Sequence, residues 1–264
     1  MDFLSSPYRV TAPDGKVRLV VMNATEGLPA AFALMGTRAA KKVAIRVTGG
    51  CKNMTPQDKL DMLGYFSRAF SGYKGLIWSG GTRASKDGKV DPMVTDVPGV
   101  IAAENEGCVA LGTLPRTDML TLQGDSRLVL DEWGASVNPD CLGILIVQNG
   151  AEGKLDWDGD LDTYFSMMQN WQKFAGFTSL GLVSWNGGDV TRKEIVRSAQ
   201  LGWPTILIKG SGRMTDEIIN KLDMDPVAFL AENKILVKRP VFYIASKDSP
   251  VELTTIFRSE GFLD

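Results

Sequence analysis

The 264-residue sequence predicts a single α/β domain, built on a mainly parallel sheet with helices on both faces. Three observations predict it. Short apolar runs alternate with longer segments of helical periodicity. Val, Ile and Leu fill most of the runs with little alternation, the pattern of strands buried on both sides. Four of the runs end in glycine clusters, where a strand passes to a helix or loop.

In chain order, strands are expected at Val17–Met22, Val43–Val47, Gly75–Trp78, Val109–Leu114, Leu142–Val147, Leu180–Ser184, Thr205–Ile208 and Val241–Ile244. Helices are expected between them at Pro29–Ala39, Pro56–Phe70, Gly99–Glu106, Leu161–Phe174, Arg192–Leu201, Met214–Leu222 and Val251–Ser259. The second helix has a clear start, with Thr55 placed to cap it and Pro56 in its first turn. The region from Asp223 to Arg239 carries no decisive pattern. No linker rich in Pro, Gly or Ser divides the chain, so residues 1–264 are read as one domain.

Composition narrows the function classes. An apolar share of 44% with 23% charged residues is that of a globular protein. The net charge is −2 and no Lys/Arg run exceeds two, which disfavours duplex nucleic acid as a partner. A single nucleotide remains open, because backbone N–H groups can hold it. The chain has no histidine. Its three cysteines, Cys51, Cys108 and Cys141, therefore cannot form a Cys/His zinc site or a Cys–His nucleophile pair, and are read as buried free thiols. Any chemistry must run on carboxylates, Arg, Lys, Tyr or backbone dipoles. The acidic stretch ending at Asp162 (Asp156, Asp158, Asp160, Asp162) lacks a glycine at the sixth position of a calcium loop. Met167 stands at the twelfth, where a glutamate is needed. No metal is expected. The N-terminus lacks the pattern of a signal peptide and no apolar run approaches a bilayer span, so a soluble cytoplasmic protein is expected.

The glycine clusters are Val47-Thr48-Gly49-Gly50, Trp78-Ser79-Gly80-Gly81-Thr82, Ser184-Trp185-Asn186-Gly187-Gly188 and Ile208-Lys209-Gly210-Ser211-Gly212. In open parallel sheets ligands bind at the carboxyl ends of strands, and a helix N-terminus there points free N–H groups at an anion. In the third cluster Thr191 and Glu194 have the spacing of a capping box. Glu194 either completes that box or faces the ligand mouth to bind ribose hydroxyls. In the fourth, Arg213 follows further N–H groups and either forks onto phosphate or is a solvated surface charge. Trp185 either lies in the core or stacks on a base.

Asn186-Gly187-Gly188-Asp189-Val190-Thr191-Arg192-Lys193-Glu194 resembles the Pro-Gly-Gly-x-Gly-Thr-x-x-Glu motif of the SLOG superfamily, a Rossmann-like group that includes the Lonely Guy phosphoribohydrolases. Asn186 stands in place of its proline and Val190 in place of a glycine. The sequence is more similar to the LSDAT branch, found in melastatin-type TRP channels and prokaryotic relatives. VTGGCKNM at 47–54, SGGTRAS and GVIAAENEGCVALGTLPR within 79–116, and the stretch 185–218 carry that similarity. It implies binding or sensing of a nucleotide-derived ligand, such as ADP-ribose or a related signalling nucleotide, with no other cofactor. Carried over by position, the ligand-binding residues are Gly49, Gly50, Gly80, Gly81, Thr82, Arg83, Asn186, Gly187, Gly188, Thr191, Glu194, Gly210, Ser211, Gly212 and Arg213.

Two other functions compete. A phosphoribohydrolase would use Glu194 with an arginine to stabilise an oxocarbenium-like transition state. The helix segment Tyr164–Phe177, where the hydrolases carry an Arg-Lys pair, holds Lys173 but no arginine, leaving Arg83 or Arg116 as substitutes. That gap favours sensing over cleavage. A ligand-free assembly module, or a homo-oligomer, would use Trp157, Trp171, Trp185 and Trp203 at an interface.

Overall fold

The computed structural model describes residues 8–11, 17–23, 39–86, 89–115, 120–123, 127–130, 135–138, 141, 143–148, 161–174, 176–236 and 241–264. The helix expected at Pro29–Ala39, Arg116, Trp157 and the acidic residues 156–160 lie outside them, Ala39 excepted.

The strands are β1 (Tyr8–Thr11), β2 (Val17–Asn23), β3 (Val43–Gly50), β4 (Leu76–Ser79), β5 (Thr82–Lys86), β6 (Lys89–Asp91), β7 (Val109–Pro115), β8 (Leu120–Gln123), β9 (Arg127–Leu130), β10 (Ala135–Val137), β11 (Gly143–Gln148), β12 (Ser179–Asn186), β13 (Thr205–Lys209) and β14 (Phe242–Ser246). The helices are α1 (Pro56–Ala69), α2 (Val97–Glu104), α3 (Leu161–Phe174), α4 (Asp189–Gln200), α5 (Arg213–Met224), α6 (Pro226–Glu232) and α7 (Pro250–Ser259). The main sheet runs β1-β2-β11-β7-β4-β3-β12-β13-β14. Its neighbours are parallel throughout except the antiparallel pair β1/β2.

This is the expected α/β architecture, with both faces of the sheet covered. On β3, Val43, Ile45 and Val47 join a core cluster with Met62, Tyr65 and Phe66 of α1, Ile101 of α2, and Leu253 and Phe257 of α7. Ala44 points the other way, into a cluster with Tyr164 and Phe165 of α3, Ile195 of α4, and Ile218 and Ile219 of α5. The two-residue period of a strand is what delivers side chains alternately to the two layers. Each large side chain so buried contributes roughly 1.5–3 kcal/mol against leaving it in water.

Local signals explain the helix starts. Thr55 caps α1 by accepting from the Asp58 N–H at 3.1 Å, and the Asp58 carboxylate accepts in return from the Thr55 N–H at 2.8 Å. The Asp223–Arg239 region contains α6, whose Asp225 side chain accepts from the Ala228 N–H ahead of Pro226 in the first turn. No helix among the described residues is long and apolar enough to cross a membrane.

A second, antiparallel sheet, β6-β5-β10-β9-β8, was not expected. It leaves the main sheet at the end of β4, so the segment after Gly81 is strand β5 instead of a loop. Its strands are three to five residues long and mixed in polarity, as in Thr-Arg-Ala-Ser-Lys and Lys-Val-Asp. Such segments leave little apolar pattern to read, and the one run, Leu128-Val129-Leu130 of β9, is only three residues long.

Candidate functional site

The site begins with two strands locked in register. β3 and β12 pair from Val43↔Ser179 to Gly50↔Asn186, which sets the first and third glycine clusters side by side at the carboxyl edge. A Cβ on Gly49 would lie 1.9 Å from the Trp185 carbonyl oxygen, so the two backbones meet there with no room for a side chain. Asn186 has φ 58°, in the left-handed region that asparagine tolerates and a proline ring cannot adopt. That geometry accounts for asparagine where the SLOG motif has proline.

Asn186 is then stapled to the fourth cluster. Its N–H donates to the Ser211 hydroxyl at 2.9 Å, and its carbonyl accepts from the Thr215 hydroxyl at 2.8 Å. Its side-chain Nδ2 donates to the Lys52 carbonyl at 3.3 Å. Asn186 is 3% exposed, and its Oδ1 finds no donor among the described residues. That is an unmet demand in a buried place.

A cavity of about 310 Å³ opens over these turns, lined by residues at the ends of β3, β12, β13 and β14 and by the first turns of α1. Asn186, Gly210, Ser211, Gly212 and Arg213 are in its wall, joined by Lys52, Lys247, Asp58, Asp61 and Asp248. The last five were not anticipated. Lys52 stands two residues after Gly50 and Lys247-Asp248 follow β14, so the strand-end rule that selected the glycines would also have found three of them. Gly49, Gly50, Gly187 and Gly188 lie beside this wall; a Cβ on Gly50 would be 3.7 Å from the Gly187 Cα.

The two helix N-termini at this edge differ. Helix α4 starts earlier than expected, with Gly188 as its cap residue and no side chain capping it. Thr191 is therefore already inside the helix, packed on the turn, and does not form a capping box with Glu194. A Cβ on Gly187 would meet its hydroxyl at 2.4 Å. Across from this open end, the Arg213 guanidinium lies over Gly188, 3.2 Å from where a Cβ would stand. Arg213 is itself at φ 44°, an unusual conformation for a non-glycine residue. At α5, by contrast, the turn amides are already used. The Asp216 carboxylate accepts from the Gly210 N–H at 2.8 Å and the Gly212 N–H at 2.9 Å, and the Ser211 N–H donates to the Ile208 carbonyl at 3.2 Å.

Glu194 lies elsewhere. It is 2% exposed, does not line the cavity, and pairs with Arg46 of β3 at 2.8 Å while accepting from the Tyr164 hydroxyl. Arg46 also donates to the Thr113 hydroxyl at 3.3 Å, and its guanidinium lies 4.3 Å from the Tyr164 ring centre and 5.2 Å from that of Trp78. The arginine beside the motif glutamate thus comes from a core strand instead of helix α3, the segment that corresponds to the Arg-Lys pair of the phosphoribohydrolases. A charge inside the apolar run Val43–Val47 was the available signal.

Gly80, Gly81 and Thr82 are buried and do not line the cavity. Gly81 packs against β7, where a Cβ would come 2.9 Å from the Gly112 Cα. Arg83 pairs with the buried Asp96 at 2.9 Å. Trp185 packs on Tyr65 and Phe66, with ring centres 5.3 and 5.5 Å away, so these two rings cover part of its surface. Trp203 is also buried and stacks on Phe165. Cys141 is buried as expected, but Cys51 and Cys108 are only half-buried, because each lies just outside the end of a strand. Burial still pushes the Cys108 thiol up to about 12 and raises Cys51, which keeps both from being thiolates near neutral pH.

Among solved structures, the chain is similar to that of TM1055, a structural genomics target (22% identity; 83% of this chain and 99% of that one; TM-score 0.46). It is similar to the molybdenum cofactor carrier protein of Chlamydomonas reinhardtii (14%; 84% and 98%; 0.46). It is also similar to the molybdenum cofactor binding protein of the phototrophic bacterium Rippkaea orientalis (17%; 83% and 96%; 0.46). No curated protein matches it. Residues 117–252, just over half the chain, match the family described as SLOG in TRPM, prokaryote. The chain belongs to that prokaryotic LSDAT family of the SLOG superfamily.

Proposed function

We propose that the chain, acting as one domain over residues 1–264, binds and senses a nucleotide-derived ligand in the cavity at the ends of β3, β12, β13 and β14. The ligand class is ADP-ribose and related signalling nucleotides, including AMP and cyclic nucleotides. One observation carries the reading: the Arg213 guanidinium lies over the uncapped start of α4. A helix N-terminus bears roughly half a positive charge, so two positive ends face one another. Among the described residues Arg213 has no ion pair, and Lys52 and Lys247 add positive charge to the same wall. A phosphate between them resolves the arrangement, with the guanidinium forking onto its oxygens. The carboxylates of Asp61 and Asp248 and the unmet Asn186 Oδ1 suit ribose hydroxyls or a base amine.

Sensing is favoured over N-glycosidic cleavage because the carboxylate a hydrolase would use, Glu194, is held in the core by Arg46 and Tyr164. A panel of ADP-ribose, cyclic ADP-ribose, NAD, AMP and cyclic nucleotides tests the reading by thermal denaturation. A ligand at 100-fold its Kd stabilises by about 2.7 kcal/mol, a rise in Tm of roughly 5–10 °C for a chain of this size. A flat response across the panel ends the proposal.

Gly188→Val probes the same place. The backbone there is extended at φ −142°, so it accepts a side chain, but the added methyls enter the space between Arg213 and the helix start. The expected result is loss of the ligand-dependent rise with a Tm of the free protein within a few degrees of wild type. Undiminished ligand affinity in this variant would move the site elsewhere.

A further inference from the structure

We propose that Asp216 is a specificity-determining residue of this cavity, one that admits a single phosphate group and turns away a second. The inference rests on the nucleotide-binding reading above and, within its ligand class, favours nucleoside monophosphates, cyclic ones included, over ADP-ribose, NAD and other nucleotides with a pyrophosphate.

Backbone amides converge at a helix start in two places, one in the cavity wall at α5 and one beside it at α4, and they are not equivalent. At α4 no side chain caps the helix and Arg213 stands over the cap residue. At α5 the Asp216 carboxylate already holds the amides of Gly210 and Gly212, at 2.8 and 2.9 Å, and the amide of Ser211 is turned back to Ile208. The second nest therefore contains an anion supplied by the protein. A phosphate reaching for the same amides would have to displace Asp216, or lie beside a carboxylate of its own sign. The first phosphate pays no such penalty.

An independent feature shows that the wall between the two nests is shaped for a ligand. Asn186 lines the cavity and is stapled between the turns, 3% exposed, with Oδ1 unpartnered among the described residues and 3.8 Å from where a Cβ on Gly212 would stand. The Lys52 carbonyl takes Nδ2, which fixes the orientation of the amide. What reaches Oδ1 must be a donor, such as a hydroxyl or an amine, and a phosphate oxygen cannot serve. The order along the wall is thus an anion at α4, a donor at Asn186 and no anion at α5. A nucleoside with one phosphate meets all three conditions.

AMP and ADP differ by one phosphate and make the test direct. Calorimetric titration of the full chain is expected to give AMP at least tenfold tighter binding than ADP. In Asp216→Asn, which keeps a cap acceptor on α5 but removes the charge, the AMP/ADP ratio is expected to fall about tenfold through tighter ADP binding. If Asp216 merely supports the helix, both affinities weaken together and the ratio stays; that result overturns the proposal, as does a wild-type preference for ADP. Asp216→Ser, a second variant with a short cap acceptor, gives the same readout if Asp216→Asn fails to fold. If neither AMP nor ADP binds but another member of the panel does, this inference falls and the binding reading stands. If no nucleotide binds wild type, both fall.

Discussion

Replacing Arg46 by methionine is expected to lower stability by about 3–5 kcal/mol, the cost of leaving one partner of a buried ion pair alone. At roughly 2–4 °C per kcal/mol for a chain of this size, Tm falls by roughly 6–20 °C. The size follows from how completely the pair is enclosed. The Arg46 and Glu194 side chains are 7% and 3% exposed, with nitrogen and oxygen 2.8 Å apart. The Tyr164 hydroxyl can still donate to Glu194 after the change, but the charge–charge attraction and both ring contacts of the guanidinium are lost. Changing both partners to apolar residues, Arg46→Met with Glu194→Leu, removes the stranded charge and is expected to recover most of the loss. Strong coupling in this double-mutant cycle is therefore the signature, and purely additive effects would show that the pair is not what holds the two elements together. Ligand response of the double variant separates function from structure. If Glu194 acts only as a strut between β3 and α4, the ligand-dependent rise in Tm survives; if Glu194 touches the ligand, it disappears.

That pair also shows where sequence reading reaches its limit. Val43–Val47 was readable as a strand because its apolar residues had to be buried, and the strand now runs to Gly50. Arg46 sat inside the same run, yet its partner is 148 residues away and no local spacing connects them. The glycine clusters were readable because strand ends are where parallel sheets leave backbone open. Which amides remained open was not, since Asp216 reaches back to Gly210 across six residues from within a helix. The capping box at Thr191 and Glu194 had the correct spacing and failed for a plain reason: Gly188 had already started the helix, and Glu194 had a stronger partner. The fold followed from burial, which is written locally. The site depends on pairings between distant segments, and these appear only once the sheet order is known.

Gly49→Ala is expected to be the most disruptive single-methyl change at the site. Two costs combine. At φ 150° the backbone is in a region that L residues rarely adopt, worth roughly 1–3 kcal/mol of strain. The new Cβ would also stand 1.9 Å from the Trp185 carbonyl oxygen, and overpacking of this kind costs roughly 1–3 kcal/mol or more. A flexible side chain would move aside, but this oxygen belongs to the backbone of a paired strand. Relief requires β3 and β12 to part at Gly49↔Trp185, one residue before Asn186. The fall in stability is then roughly 2–6 kcal/mol, and it includes a functional loss, since displacing Trp185 also displaces Asn186 and the cavity wall it anchors. Gly72→Ala is the control. Its φ is 81°, so it bears the conformational cost, but nothing lies within 4 Å of the added Cβ. The difference between the two variants isolates the clash, and only Gly49→Ala should weaken nucleotide binding. Equal destabilisation by both, with binding intact in Gly49→Ala, would mean that the β3–β12 contact yields without cost and does not shape the cavity.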